Sequence, residues 1–220
     1  MKNKLLSLAS LLAVFNVNAI EIGPTGSGVE LSGFVDVAGS KQGTDTETTT
    51  AQVELNFSYS TGPVSAMVGL DFGEGSVYGA SDNLEEAYVT YDFGSGFSVT
   101  GGKMLSYMGF EAFDPTNMYQ YSYAYDADGV GGPQDIYDAY DDGFSIDYAT
   151  DMFSVGIFAS AEQDGGYEYA FAFTGIENLT VKAIMADWDA YETTTYWASY
   201  QMDKLLLGAE VAEIVIVGHL

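Results

Sequence analysis

The sequence predicts an all-β chain, an antiparallel up-and-down β-barrel that crosses a membrane with its strands. Three observations carry that prediction. Apolar and polar side chains alternate with period two along most of the chain, connections sort into short turns and long polar loops, and aromatic residues gather beside the short turns.

The alternation is clearest over Gln52–Ser60, where Val53, Leu55, Phe57 and Tyr59 form one set and Gln52, Glu54, Asn56 and Ser58 the other. An extended strand sends two such sets to opposite faces. After a turn at Thr61-Gly62-Pro63, Val64, Ala66, Val68, Leu70 and Phe72 continue an apolar face. The same rhythm returns at Ala87–Phe93, Phe97–Gly101, Phe144–Tyr148, Phe153–Ala159, Tyr167–Phe173, Leu179–Met185, Tyr196–Tyr200 and Leu205–Val211. With Val29–Ala38 this makes eleven candidate strands. In hydrocarbon every backbone polar group must be paired, so strands span only as a closed barrel. The apolar set then faces lipid. Gln52, Glu54, Asn56, Asp71, Glu86, Asp92 and Asp147 face water inside, where charges alternating with Leu and Phe are affordable.

Short turns fall at 61–63, 94–96, 150–152, 175–178 and 202–203, and longer loops at 39–50, 73–83, 104–142, 161–166 and 187–193. One rim facing the periplasm and the other the exterior predicts that sorting, and a soluble β-sandwich does not. Tyr59, Phe93, Phe97, Tyr148, Phe153, Phe173 and Tyr200 flank the short turns on the apolar face. A girdle at the headgroup level places rings there, whereas a soluble core would concentrate them in mid-strand.

The N-terminus is read as an export signal over residues 1–19, leaving 20–220 as the barrel. Met1-Lys2-Asn3-Lys4 is a positive start, Leu5–Val17 is apolar but short for a bilayer, and Val17-Asn18-Ala19 offers small residues for cleavage. The chain carries 6 basic and 32 acidic residues, for a net charge of −26, with no arginine. Nucleic acid is excluded as a partner, because phosphate binding needs clustered Lys and Arg. Zero cysteines exclude disulfides, thiol nucleophiles and Cys-ligated metals. With 17 Tyr and 13 Phe, the acidity does not signal disorder. The one histidine is His219, so Ser-His and Asp-His hydrolases lack a base and no enzyme is expected.

Leu84-Glu85-Glu86-Ala87-Tyr88-Val89-Thr90-Tyr91, followed by Gly102-Lys103-Met104, Met108-Gly109-Phe110-Glu111 and the Tyr/Ser-rich run from Asn117 to Tyr125, resembles the β-barrel porins of the OmpL-like type. The resemblance extends over roughly residues 28 to 200 and is most specific at 84–125. It implies an outer-membrane channel, with more strands than this chain supplies. Bacterial single-chain barrels use even strand numbers and end on an amphipathic strand with a terminal aromatic residue. Eleven is odd, and Ile214–Leu220 is apolar on both faces and ends in Leu. An incomplete barrel, truncated or frame-shifted before its closing strands, is the expectation.

Glu54, Asp71, Glu86, Asp92 and Asp147 are the expected pore-lining carboxylates, with Lys103, Glu111 and Asp114 near a constriction. Loop 104–142 interleaves Asp114, Asp126, Asp128, Asp135, Asp138, Asp141 and Asp142 with Tyr107, Tyr119, Tyr121, Tyr123, Tyr125, Tyr137 and Tyr140. Two readings stand for it: a constriction folded into the barrel, or a solvated external loop. Strict alternation with Phe97 and Val99 points Lys103 at lipid, costly for a charge away from the interface, so two readings stand for it too: it sits at the wet rim, or a bulge at Gly101-Gly102 sends it inward to pair with Glu111 or a loop Asp. Asp126-Ala127-Asp128-Gly129 lacks the later ligands of a calcium loop.

The composite expectation is an exported porin of the bacterial outer membrane, without cofactor, passing small hydrophilic solutes passively and preferring cations. Its partners are outer-membrane lipid, lipopolysaccharide and the permeating solutes or cations; loose recruitment of divalent cations by the acidic loops and homo-oligomerisation stay open. The alternative is a non-conducting structural or adhesive barrel whose acidic loops bind cations or a partner. A soluble periplasmic β-sandwich is a third, weaker reading.

Overall fold

A computed structural model of the chain describes residues 11–40, 48–73, 83–110, 139–162, 165–189 and 191–216. Within them lie twelve strands: β1 (Leu11–Glu21), β2 (Val29–Ser40), β3 (Thr48–Thr61), β4 (Val64–Gly73), β5 (Leu84–Gly94), β6 (Phe97–Leu105), β7 (Tyr140–Ala149), β8 (Phe153–Ser160), β9 (Tyr167–Ile176), β10 (Leu179–Asp187), β11 (Tyr191–Met202) and β12 (Leu205–Ile216). Their hydrogen-bonded order is the chain order, β1 to β12, so the sheet is up-and-down throughout. The eleven strands read from the sequence are β2 to β12. The twelfth, β1, occupies the apolar run read as part of an export signal, and it pairs antiparallel with β2 from Leu11↔Gly39 to Glu21↔Glu30. Apolar side chains suit a leader and a strand equally, so alternation did not separate the two there.

Strands run longer than the alternation alone suggested. β11 begins at Tyr191 and β12 continues to Ile216, so the pairing Tyr191↔Ile216 through Met202↔Leu205 includes part of the tail that looked apolar on both faces. Short connections lie at 62–63, 95–96, 150–152, 177–178 and 203–204, the predicted places. The turn residues fit their backbone: Ser95, Asn178 and Asp203 adopt φ of 57°, 65° and 52°. Asn and Asp tolerate that left-handed region better than other side chains. In the same turns Gly96 has φ 86°, and a Cβ there would run into the Ala149 carbonyl, so no larger residue fits.

The chain divides into two compact units. The first, Met1–Ser60 with Met67–Ala87, is built on β1 to β3 and most of β4. Its β2–β3 ladder runs unbroken from Val29↔Tyr59 to Ser40↔Thr48. One face is sheltered and polar, with Gln52, Glu54 and Asp71 buried beside Phe34. The opposite face shows Val35, Val37, Val68 and Phe72 to the surroundings.

The second unit, Thr61–Ala66 with Tyr88–Leu220, contains β6 to β12. Here too one face is exposed and apolar: Phe144, Ile146, Val155, Ile157, Tyr169, Phe171, Val181, Met185 and Tyr196 are all open. The sheltered face carries Ser145, Phe158, Glu168, Ala172, Ile184, Ala186, Thr193, Thr195 and Trp197. This inverts a soluble fold, in which the apolar face is the one removed from water. Among the described residues no helix is long and apolar enough to cross a membrane, which says nothing against crossing with strands.

Ring contacts line the short-turn end of the second unit. Phe97 and Tyr148 are register partners with centroids 4.6 Å apart, and Tyr148 lies 6.1 Å from Phe153, which stacks on Phe171 at 6.4 Å.

Candidate functional site

The ladders of the second unit fix three rows across its sheltered face. Ser145, Phe158, Glu168, Ala186, Thr193 and Ile214 are successive register partners from β7 to β12. Asp147, Gly156, Ala170, Ile184, Thr195 and Ala212 make the next row. Ser154, Ala172, Lys182, Trp197 and Glu210 make the third, from β8 to β12. This wall is polar and small-residued in its middle, as the alternation of β7 to β11 requires.

Residues 106–110, which follow β6, cross that wall from β9 and β7 to β12. The Ser106 hydroxyl donates to Glu168 Oε1 at 2.7 Å, and the Tyr107 amide donates to Glu168 Oε2 at 2.8 Å. The Tyr107 hydroxyl donates to Asp147 Oδ1 at 2.5 Å, and the Ser145 hydroxyl donates to Asp147 Oδ2 at 2.7 Å. Thr195 Oγ1 donates to Met108 Sδ at 3.7 Å. Phe110 meets Trp197 edge-on at 5.1 Å, and its amide donates to Glu210 Oε2 at 3.3 Å. The segment thus touches all three rows, and three strand carboxylates accept its hydrogen bonds. Met108 of the segment joins Phe158, Ile184, Ala186 and Trp188 in an apolar cluster.

Small residues make room for this crossing. A Cβ on Gly156 would lie 2.7 Å from the Tyr107 hydroxyl and 2.6 Å from Asp147 Oδ1. Burial raises the ionisation of the Tyr107 phenol well above its usual range, and the bond to Asp147 adds to the effect. The phenol therefore stays a donor at every physiological pH.

The expected pore-lining carboxylates fall in different settings. Glu54 is 4 % exposed on β3 and accepts from the Asn56 amide. Asp71 is fully buried on β4, and Gln52 Nε2 donates to its Oδ2 at 2.9 Å. Glu86 is half-buried on β5. It shares the neighbourhood of Gly69 with Asn56: a Cβ on Gly69 would lie 3.4 Å from Glu86 Cβ and 3.0 Å from Asn56 Oδ1. Asp147 is half-buried on β7 in the second unit. Asp92 is exposed at the turn end of β5, where its Oδ1 accepts from the Gly94 amide at 2.7 Å.

For Lys103, the β6–β7 pairing shows no bulge at Gly101-Gly102. The β6–β7 register runs without a slip from Phe97↔Tyr148 to Leu105↔Tyr140, although Gly102 has φ 134°. Lys103 keeps the phase of Phe97 and Val99 and stands opposite Asp142, a cross-strand pairing of opposite charges. Glu111 and Asp114 lie outside the described residues, as do the Asp126–Gly129 run and most of the long loop.

Several residues escaped the sequence reading. Glu168 is 2 % exposed; alternation in β9, with Tyr167, Tyr169 and Phe171 on the apolar side, already assigned it to the opposite face. Glu85 is buried although it shares the phase of Ala87 and Val89, and strand pattern gave no sign of that. Lys182 lies over the Trp197 ring at 5.1 Å, on the face that also carries Asp147, Glu168 and Glu210, a cation–π contact that only pairing of β10 with β11 creates. Among the described residues no group of His, Cys, Asp and Glu is arranged to hold a metal ion.

An antiparallel up-and-down sheet with an apolar exposed face and a polar sheltered one is the architecture of a transmembrane β-barrel wall. Residues 29–201 match a family described as "Putative beta-barrel porin-2, OmpL-like", and the chain belongs to that family. Membership points to a non-enzymatic outer-membrane channel of porin type. No curated protein matches the chain.

Proposed function

We propose that the protein is a passive, cation-preferring diffusion channel for small hydrophilic solutes, exported to the outer membrane and working without a cofactor. The observation that carries this reading is the inverted wall: Phe144, Ile146 and Ile157 look outward while Glu168, Thr193 and Thr195 are sheltered. Carboxylates backed by a low-dielectric wall raise the local concentration of cations and repel anions. Glu54, Asp71, Glu86 and Asp147 are the wall groups for that role, and residues 106–110 narrow the passage over β7 to β12. Loose binding of divalent cations belongs to the acids of the loop sequences.

A second reading has its own observation. The crossing segment packs Met108 and Tyr107 against Phe158, Ile184 and Trp188, and that much filling suits a structural barrel. Swelling of proteoliposomes in uncharged sugars of increasing size separates the two. The channel reading predicts influx that slows steadily with solute size. Swelling no faster than in protein-free vesicles would favour the non-conducting barrel.

A further inference from the structure

An acidic wall would suffice for permeation, yet Glu168 does something more particular. It is 2 % exposed, and a carboxylate that deep is stable as an anion only with donors on its oxygens. Each oxygen has one from the crossing segment: the Ser106 hydroxyl at 2.7 Å on Oε1 and the Tyr107 amide at 2.8 Å on Oε2. Ser106 is itself fixed, because its Oγ accepts from the Met108 amide at 3.0 Å. One side chain of β9 therefore governs three consecutive residues sixty or more positions earlier in the chain. Phe158, Ala186 and Trp188 enclose the neighbourhood and keep water from competing for these bonds. Further contacts hold the segment: Asp147 accepts from the Tyr107 hydroxyl, and Glu210 accepts from the Phe110 amide at 3.3 Å.

We infer that Glu168 is the positioning residue of the passage: it fixes the course of residues 106–110 across the wall, and so sets the free cross-section and the steadiness of the current. This rests on the channel reading, because a positioned segment matters to flow only where there is flow. Glu168 touches no solute in this role; it acts through Ser106 and Tyr107.

Planar-bilayer recording of the full chain, its E168Q and S106A variants and the double variant tests it. E168Q keeps the size of the side chain but removes its negative charge, so the Ser106 and Tyr107 bonds lose their charged acceptor. Losing a hydrogen bond to a charged acceptor raises the weight of the detached segment on the order of tenfold. Excursions between current levels should become more frequent by that factor in E168Q, and less so in S106A. The double variant should be no worse than E168Q, since both changes act on one contact. The heat-modifiable gel shift identifies folded barrels; if E168Q does not fold, S106A, which loses a single hydroxyl, gives the excursions or overturns the inference alone. A steady wild-type current with equally steady variants overturns the inference and leaves the channel standing, as does full additivity in the double variant. A silent wild type takes down the channel reading and this assignment with it.

Discussion

Gly156 shows how a single missing side chain shapes the site. The space where its Cβ would stand holds the Tyr107 hydroxyl, at 2.7 Å, so Gly156→Ala must push Tyr107 off Asp147. Overpacking of this kind costs about 1–3 kcal/mol, which a lowered denaturant midpoint of the refolded protein would report. An unchanged midpoint would mean that Tyr107 yields freely. Tyr107 also has a pH signature. Its folded-state ionisation lies above the unfolded value, so its contribution to stability is complete below the ordinary tyrosine range and is lost as pH rises through the raised value. An absorbance titration of the phenolates should show one late-titrating tyrosine that disappears in Tyr107→Phe; superimposable curves would contradict the burial. Asp71→Asn bears on the wall charge. Asp71 is fully buried and acts on the passage only from behind the wall surface, so removing this one of several carboxylates should lower the cation-to-anion permeability ratio by no more than roughly twofold. An unchanged ratio would take Asp71 out of the passage.

At the scale of the strand, the exposed face is the informative one. Ile157 is 50 % exposed in the middle of β8, between Val155 and Ala159 on the same face. In water an exposed isoleucine would tolerate Arg with little effect, but facing lipid near the midplane Ile157→Arg should cost about 2–4 kcal/mol. Folding titrations into lipid vesicles would measure that loss, and a cost near zero would deny the lipid contact. Strands such as β3 and β9 were legible because a period of two needs no long-range information; each residue declares its face by its neighbours. Turns were legible for the same local reason, as Gly94-Ser95-Gly96 and Asp203 bear out. β1 was not, because an export signal and an apolar strand read alike over Leu11–Val17. Lys103 was left ambiguous by the glycines before it, and only the unbroken pairing with β7 resolves its phase.

Over the molecule as a whole, the sequence left open whether the long loop turns inward, and it could not disclose the contacts by which residues 106–110 cross the wall. These contacts join positions separated by 40 to 100 residues, Tyr107 with Asp147 and Phe110 with Glu210 among them. No local pattern encodes such pairings; they follow from strand order and register, which set Glu168, Asp147 and Glu210 on one face. The family to which the chain belongs was legible in its middle, at Leu84–Tyr91 and Gly102-Lys103-Met104, because those residues combine strand alternation with an unusual local text. The central claim is that this polar face lines a water-filled, cation-preferring passage. Single-channel conductance and reversal potential in a KCl gradient, on protein extracted folded from outer membranes, test it most directly. A stable conductance with a reversal potential displaced towards that of potassium is the predicted result. A folded barrel that passes no current, or one whose reversal potential favours chloride, would contradict it.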